Sequence, residues 1–151
     1  MESILEKYHK ILLPVFLFFY GVFLWIMCYH SRGIPVTDSA SLNMGALYMA
    51  GLSEEISWTY FARWSNNIMP AVLLGGGIYR IGRLLGLEDV YYAALFANVL
   101  QVVIAMYCTF QICCRMSGKK KSTAWLGMFL LGSYFAVFEH TQSLYTDAFS
   151  F

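Results

Sequence analysis

The stretch Asn66-Asn-Ile-Met-Pro70-Ala-Val-Leu-Leu-Gly75-Gly-Gly-Ile-Tyr-Arg80-Ile-Gly-Arg83-Leu-Leu-Gly86 decides how this chain is threaded. It is apolar enough to invite a transmembrane reading, but it carries Pro70, a run of three glycines, Arg80 and Arg83. An arginine near the centre of a membrane helix costs about 2.5–3.5 kcal/mol on insertion scales. If the stretch crosses, every later helix is inverted, and Arg115 with Lys119, Lys120 and Lys121 falls on the outer side. If it lies along the outer surface, Val90–Cys114 is the second span, Thr123–Phe138 is the third, and the basic cluster is cytoplasmic. The excess of Lys and Arg in short cytoplasmic loops favours the second arrangement.

Working outward, Ile11–Tyr29 is an uncharged run of nineteen residues, and about twenty span a hydrocarbon core. Lys7 and Lys10 precede it as they would a signal peptide. The run exceeds a usual signal core, however, and Cys28-Tyr-His30 provides no small-x-small cleavage site. It reads as an uncleaved anchor with a cytoplasmic amino end. Composition agrees: 59% of residues are hydrophobic, 18% aromatic and only 13% charged, far more apolar than a soluble domain of this length. The expectation is an all-α, multi-pass protein of the cell membrane. It has about three spans (11–29, 90–114 and 123–138) and a large first external loop, residues 31–89, carrying interfacial amphipathic helices.

Within that loop, Thr37 or Asp38 precedes Leu42, Ala46, Met49 and Leu52, a helical repeat suited to the interface, and Gly51 marks its end. Trp58, Tyr60, Phe61 and Trp64 suit the headgroup level. A second surface helix, Asn67–Leu85, would turn Ile68, Val72, Ile78 and Leu84 to lipid or protein while Arg80 and Arg83 reach headgroups. Gly82 and Gly86 are spaced for close helix packing.

The net charge of +1, with basic residues dispersed or beside apolar segments, excludes a nucleic-acid face. Cys28, Cys108, Cys113 and Cys114 lack metal-ligand spacing, and His9, His30 and His140 are too scattered for a metal site. Cys113-Cys114 beside Arg115 is either a lipidation site or an ordinary helix end. Glu54 and Glu55 are either a solvated surface or, with Asp38, carboxylates around a divalent cation. Gly75–Gly82 lacks the Lys-Ser/Thr ending and the preceding strand of a phosphate loop. Asn98 and Gln101 in the second span, and Glu139 and His140 at the end of the third, face protein or a wet cavity.

One ordered set of short motifs covers nearly the whole chain. It comprises an amino-terminal span, Pro35-x-x-Asp38 opening the external loop, Tyr60-Phe-Ala-Arg-Trp-Ser-Asn-Asn67 leading into a Gly-rich helix, two further spans, and Tyr145-Thr-Asp147. This set resembles the start of a bacterial membrane glycosyltransferase of the dolichyl-phosphate-mannose protein mannosyltransferase-like group, in the type C superfamily. The resemblance implies a sugar donor on a polyprenyl phosphate and inverting transfer at the external face, to an acceptor it does not identify. Asp38 matches the acidic residue that orients or deprotonates the acceptor hydroxyl, and Asp147 the second acidic position. Arg63, Asn66, Asn67 and Tyr145 fall in matched stretches and become substrate- or phosphate-binding candidates. Trp64-Ser65 stands where related sequences often have Tyr-Pro. Members of the group have longer chains with more spans, so the expectation is an amino-terminal portion of such an enzyme.

The residue types suit that chemistry independently. Transfer to a hydroxyl needs a carboxylate near the attacking oxygen and groups that stabilise the departing phosphate. Guanidinium can engage phosphate oxygens bidentately, which nominates Arg63, Arg80 and Arg83. Each has a plainer role. Asp38 can cap the following helix, Asp147 can be a solvated helix end, and the arginines can bind lipid headgroups. Besides an enzyme, the chain fits a small non-catalytic scaffold or assembly subunit. A transporter fits less well, because Ile11–Tyr29 and Val90–Cys114 contain no Asp, Glu, Lys, Arg or His.

Overall fold

The computed structural model describes the backbone of residues 4–30, 37–56, 58–134, 137 and 141, and their side chains except at 5, 6, 37, 38, 64–68 and 70. Five helices follow one another: α1 (Ile4–His30), α2 (Thr37–Ala50), α3 (Trp58–Leu84), α4 (Tyr91–Met116) and α5 (Lys121–Gly132). Among the described residues there is no strand. α1 and α4 are 27 and 26 residues long, each about 39–40 Å, which is enough to cross a hydrocarbon core of about 30 Å. Each contains an 18-residue window apolar enough for a span, yet only 22% of that window in α1 and 39% in α4 is buried. The core helix of a soluble domain would be mostly covered. Here Ile11, Phe18, Phe19, Phe23, Ile26, Ile104 and Ile112 are exposed, as lipid-facing side chains would be.

α1 and α4 pack antiparallel. Tyr29 stacks on Tyr92 and Trp25 meets it edge-on, Gly21 lies against Val103, and Leu13 and Leu17 join Phe110 and Cys114 in one cluster. Residue numbers thus rise along one helix as they fall along the other. α5 folds back beside the carboxyl half of α4. Gly127 lets Cys113 approach, since a Cβ there would sit 2.6 Å from Sγ, and Trp125 packs edge-on to Phe110 and Phe16. The Tyr20 hydroxyl donates to the Gly132 carbonyl at 2.5 Å, tying the end of α5 to α1. At twelve described residues, α5 is shorter than a span requires. The expected third span, 123–138, extends partly beyond the described residues.

Because α1 and α4 are antiparallel, the intervening segment leaves and rejoins the bundle at the same end. It forms a helical hairpin, α2 against α3. α2 stops at Gly51, as the sequence predicts. The Gly51 amide bonds to Tyr48 O and the Leu52 amide to Leu47 O, a Schellman pattern whose φ of +71° needs glycine. α3 differs from the expected Asn67–Leu85 helix by starting at Trp58, because no breaker separates the aromatic group from the stretch before Pro70. A straight α3 would hold Phe61 and Gly76 about 22 Å apart. However, the Phe61 ring lies against Gly45, and Gly76 against Ala46 and Met49, about one turn of α2. α3 therefore bends between them, across the segment holding Pro70.

The expected interfacial stripe on α2 meets protein. Leu42 and Ala46 are fully buried, and Met49 and Leu52 pack beside them in the cluster that includes Val72, Tyr79, Leu24 and Leu95. On α3 the expected face is split: Val72 is buried, Ile78 half-buried and Leu84 exposed, while the Ile68 side chain lies outside the described set. Gly82 does allow close packing, with a would-be Cβ 2.9 Å from Ala93. Its expected partner Gly86 meets nothing within 4 Å and instead supplies the left-handed residue that ends α3.

Charge is divided between the two ends. Lys7 and Lys10, in the first turns of α1, are at the same end as Arg115 in the last turn of α4, Lys119 and Lys120 in the turn, and Lys121 opening α5. In the sequence, the acidic residues nearest to them are Glu2 and Glu6. The hairpin end carries Glu54, Glu55, Glu88 and Asp89 together with Arg63, Arg80 and Arg83.

Candidate functional site

Asp38, Arg63, Asn66, Asn67, Arg80 and Arg83 are distributed along the α2–α3 hairpin. Asp38 is the second residue of α2, and its side chain lies outside the described residues, as do those of Asn66 and Asn67 on α3. Tyr145 and Asp147 lie outside them entirely. Thr141 is described, and it is buried. Its carbonyl accepts from Asn98 Nδ2 at 3.4 Å and from Cys28 Sγ at 3.5 Å. This joins the chain beyond α5 to the last turns of α1 and the early turns of α4, at the end where α2 and α3 also attach. Asn98 thus faces protein, one of the two surroundings that its position predicts. Gln101 Oε1 and Trp125 Nε1 are buried without a hydrogen-bond partner among the described residues.

The arginines separate into different roles. Arg80 Nη2 donates to the Met49 carbonyl at 2.6 Å. That carbonyl belongs to the last turn of α2, where helix carbonyls lack intrahelical donors and the helix dipole is negative. Arg80 therefore caps α2 at the end opposite Asp38, eleven residues or about 16 Å along the axis. Arg63 and Arg83 are exposed on α3. A phosphate ligand within reach of both the start of α2 and Arg80 would have to bridge the length of that helix.

Sequence reading missed the polar contact that joins the hairpin. Tyr79, fully buried, donates its hydroxyl to Asn43 Oδ1 at 2.5 Å. The available signal was Asn43 beside the apolar stripe of α2 and Tyr79 within the apolar helix that follows. A buried Tyr hydroxyl needs an acceptor, but neither residue states which partner it has.

Glu54 and Glu55 are exposed beyond the end of α2, where the Glu55 amide donates to Ser53 Oγ. Among the described residues, no three His, Cys, Asp or Glu side chains come together. The divalent-cation expectation involves Asp38, whose side chain is not among them. Two apolar grooves run between the helices. One, of about 520 Å³, lies among α1, α3 and α4; the other, of about 300 Å³, continues along α1 and α4 and shares Trp25, Phe96 and Leu100 with the first. On α3 the lining residues are Ile78, Ile81 and Gly82, with Leu85 just beyond its end, and helical periodicity turns Arg80 and Arg83 away from that face. No family model, curated protein or solved structure matches this chain.

Proposed function

We propose that this chain is the amino-terminal portion of a polytopic membrane glycosyltransferase. It would transfer a sugar from a polyprenyl-phosphate donor to an acceptor hydroxyl at the external face, with inversion. In this reading the basic end is cytoplasmic, α1, α4 and the region of α5 cross the membrane, and the α2–α3 hairpin lies at the outer face. Asp38 and Asp147 serve as the carboxylates of the site, and Arg63, Asn66, Asn67, Arg83 and Tyr145 engage substrate or phosphate.

The observation that carries the reading is the antiparallel packing of α1 and α4. It brings both attachments of the hairpin to one end, opposite Lys119–Lys121, and positive charge favours the cytoplasmic side. The contact of Thr141 with Cys28 and Asn98 adds that the chain reaches this same end six residues before Asp147. The committed role of Arg80 at the α2 terminus favours a second reading, a non-catalytic helical scaffold, because it removes one phosphate ligand from the set.

Two experiments test the proposal. Lys120→Cys in a background free of other cysteines should react with an impermeant thiol reagent only after the membrane is opened. Labelling from outside sinks the topology. In the full-length protein, Asp38→Asn should abolish sugar transfer at unchanged membrane level, and undiminished turnover would return Asp38 to a helix-capping role.

A further inference from the structure

Six cations from two distant parts of the sequence lie at one end of the bundle, beyond the cluster in which Leu13 packs with Cys114: Lys7 and Lys10 on α1, and Arg115, Lys119, Lys120 and Lys121 around the α4–α5 turn. The Lys7 ammonium stands 5.2 Å from the centre of the Tyr8 ring, and Lys121 Nζ donates to Cys114 Sγ at 3.2 Å. Arg115, Lys119 and Lys120 are exposed. Lys119 is held out by a left-handed backbone at φ +72°, and its amide closes the end of α4 on Cys114 O. The sequence groups the last four of these cations, and only the antiparallel packing of α1 and α4 adds the first two.

We infer that this end of the bundle is a binding surface for anionic phospholipid headgroups, built jointly by the start of α1 and the α4–α5 turn. Exposed apolar side chains flank the cations on each helix: Ile11 follows Lys10, Ile112 and Met116 bracket Arg115, and Leu126 lies in the second turn of α5 after Lys121. A soluble polyanion would need the cations on an open polar face. A phospholipid presents its phosphate directly above hydrocarbon, and this edge offers the same order of surfaces. Lysine and arginine beside a membrane helix attract anionic lipid cumulatively, by a factor of roughly five for each residue near the surface, and salt weakens the attraction. The inference uses the membrane part of the functional reading and is independent of glycosyl transfer.

The test measures, by native mass spectrometry, the lipids retained by the full chain released from nanodiscs containing equal phosphatidylglycerol and phosphatidylcholine. Wild type should retain phosphatidylglycerol preferentially. Lys7→Gln/Lys10→Gln and Lys119→Gln/Lys120→Gln should each lower the preference at least about five-fold, and the quadruple variant should lose it. The same four positions changed to arginine should retain it, which separates charge from folding. Equal retention of the two lipids by wild type, or a preference that survives in the quadruple variant, overturns the inference. So does displacement of phosphatidylglycerol by a short single-stranded DNA at equal concentration, which would identify a polyanion surface instead. An Asp38→Asn protein that still transfers sugar would defeat the catalytic reading and leave this one intact.

Discussion

Adjacent glycines in α3 should respond to the same substitution with opposite sign. Replacing glycine by alanine inside a helix stabilises it by about 0.8–1.0 kcal/mol where the methyl group has room. At Gly77 a Cβ meets nothing within 4 Å, whereas at Gly76 it would lie 2.8 Å from Met49 Cβ and 3.3 Å from the Ala46 carbonyl oxygen. The second neighbour is backbone, so relief requires α2 to move as a unit. Overpacking of this kind costs about 1–3 kcal/mol. The propensity gain is common to both variants, so the difference between them isolates the steric cost. Gly77→Ala should be stabilised by up to about 1 kcal/mol, and Gly76→Ala should lie about 1–3 kcal/mol below it. Denaturant unfolding of the full chain in mild detergent, followed by helical circular dichroism, measures the gap. Hydrogen exchange should locate the loss in α2. Equal stabilities, or a less stable Gly77→Ala, would refute the packing of α2 on α3.

Other substitutions probe the same hairpin. Tyr79→Phe removes the bond to Asn43 and should cost about 1–2 kcal/mol; a double-mutant cycle with Asn43→Ala should show coupling, and additivity would deny the contact. Gly51→Ala forces a left-handed conformation at φ +71° and should cost about 1–2 kcal/mol, with Gly51→Asn milder, as thermal unfolding would read. Arg80→Gln removes the donor to Met49 O and should cost about 0.3–1 kcal/mol. Faster amide exchange at Gly51 and Leu52 checks it, and unchanged exchange counts against the cap. Gly127→Leu drives a side chain into the space taken by Cys113 Sγ and should separate α5 from α4, read as increased modification of Cys114.

Much of the helix inventory was legible before any coordinates, because its causes are local. Ile11–Tyr29 and Val90–Cys114 announce long apolar helices by lacking charge; the structure ends both close to those limits, at His30 and Met116, while α1 begins earlier, at Ile4. Gly51 stops α2 because only glycine is at ease in a left-handed terminus. The start of α3 was not legible: the aromatic group Trp58–Trp64 suits a headgroup-level segment as well as a helix, whereas here the helix expected from Asn67 begins at Trp58 and includes that group.

What only the tertiary structure decided are the matters that depend on who packs against whom. The stripe Leu42, Ala46, Met49 and Leu52 has the same periodicity whether it faces lipid or protein, and the partner helix chose protein. Arg80 looks like any membrane-surface cation until α2 presents it a carbonyl. Lys7 and Lys10 lie more than a hundred residues from Lys119–Lys121, and the antiparallel contact of α1 with α4 unites them. Periodicity and composition report the preferences of one segment for its surroundings. They carry no record of which segment supplies those surroundings, and so the helices could be read from the chain but their partners could not.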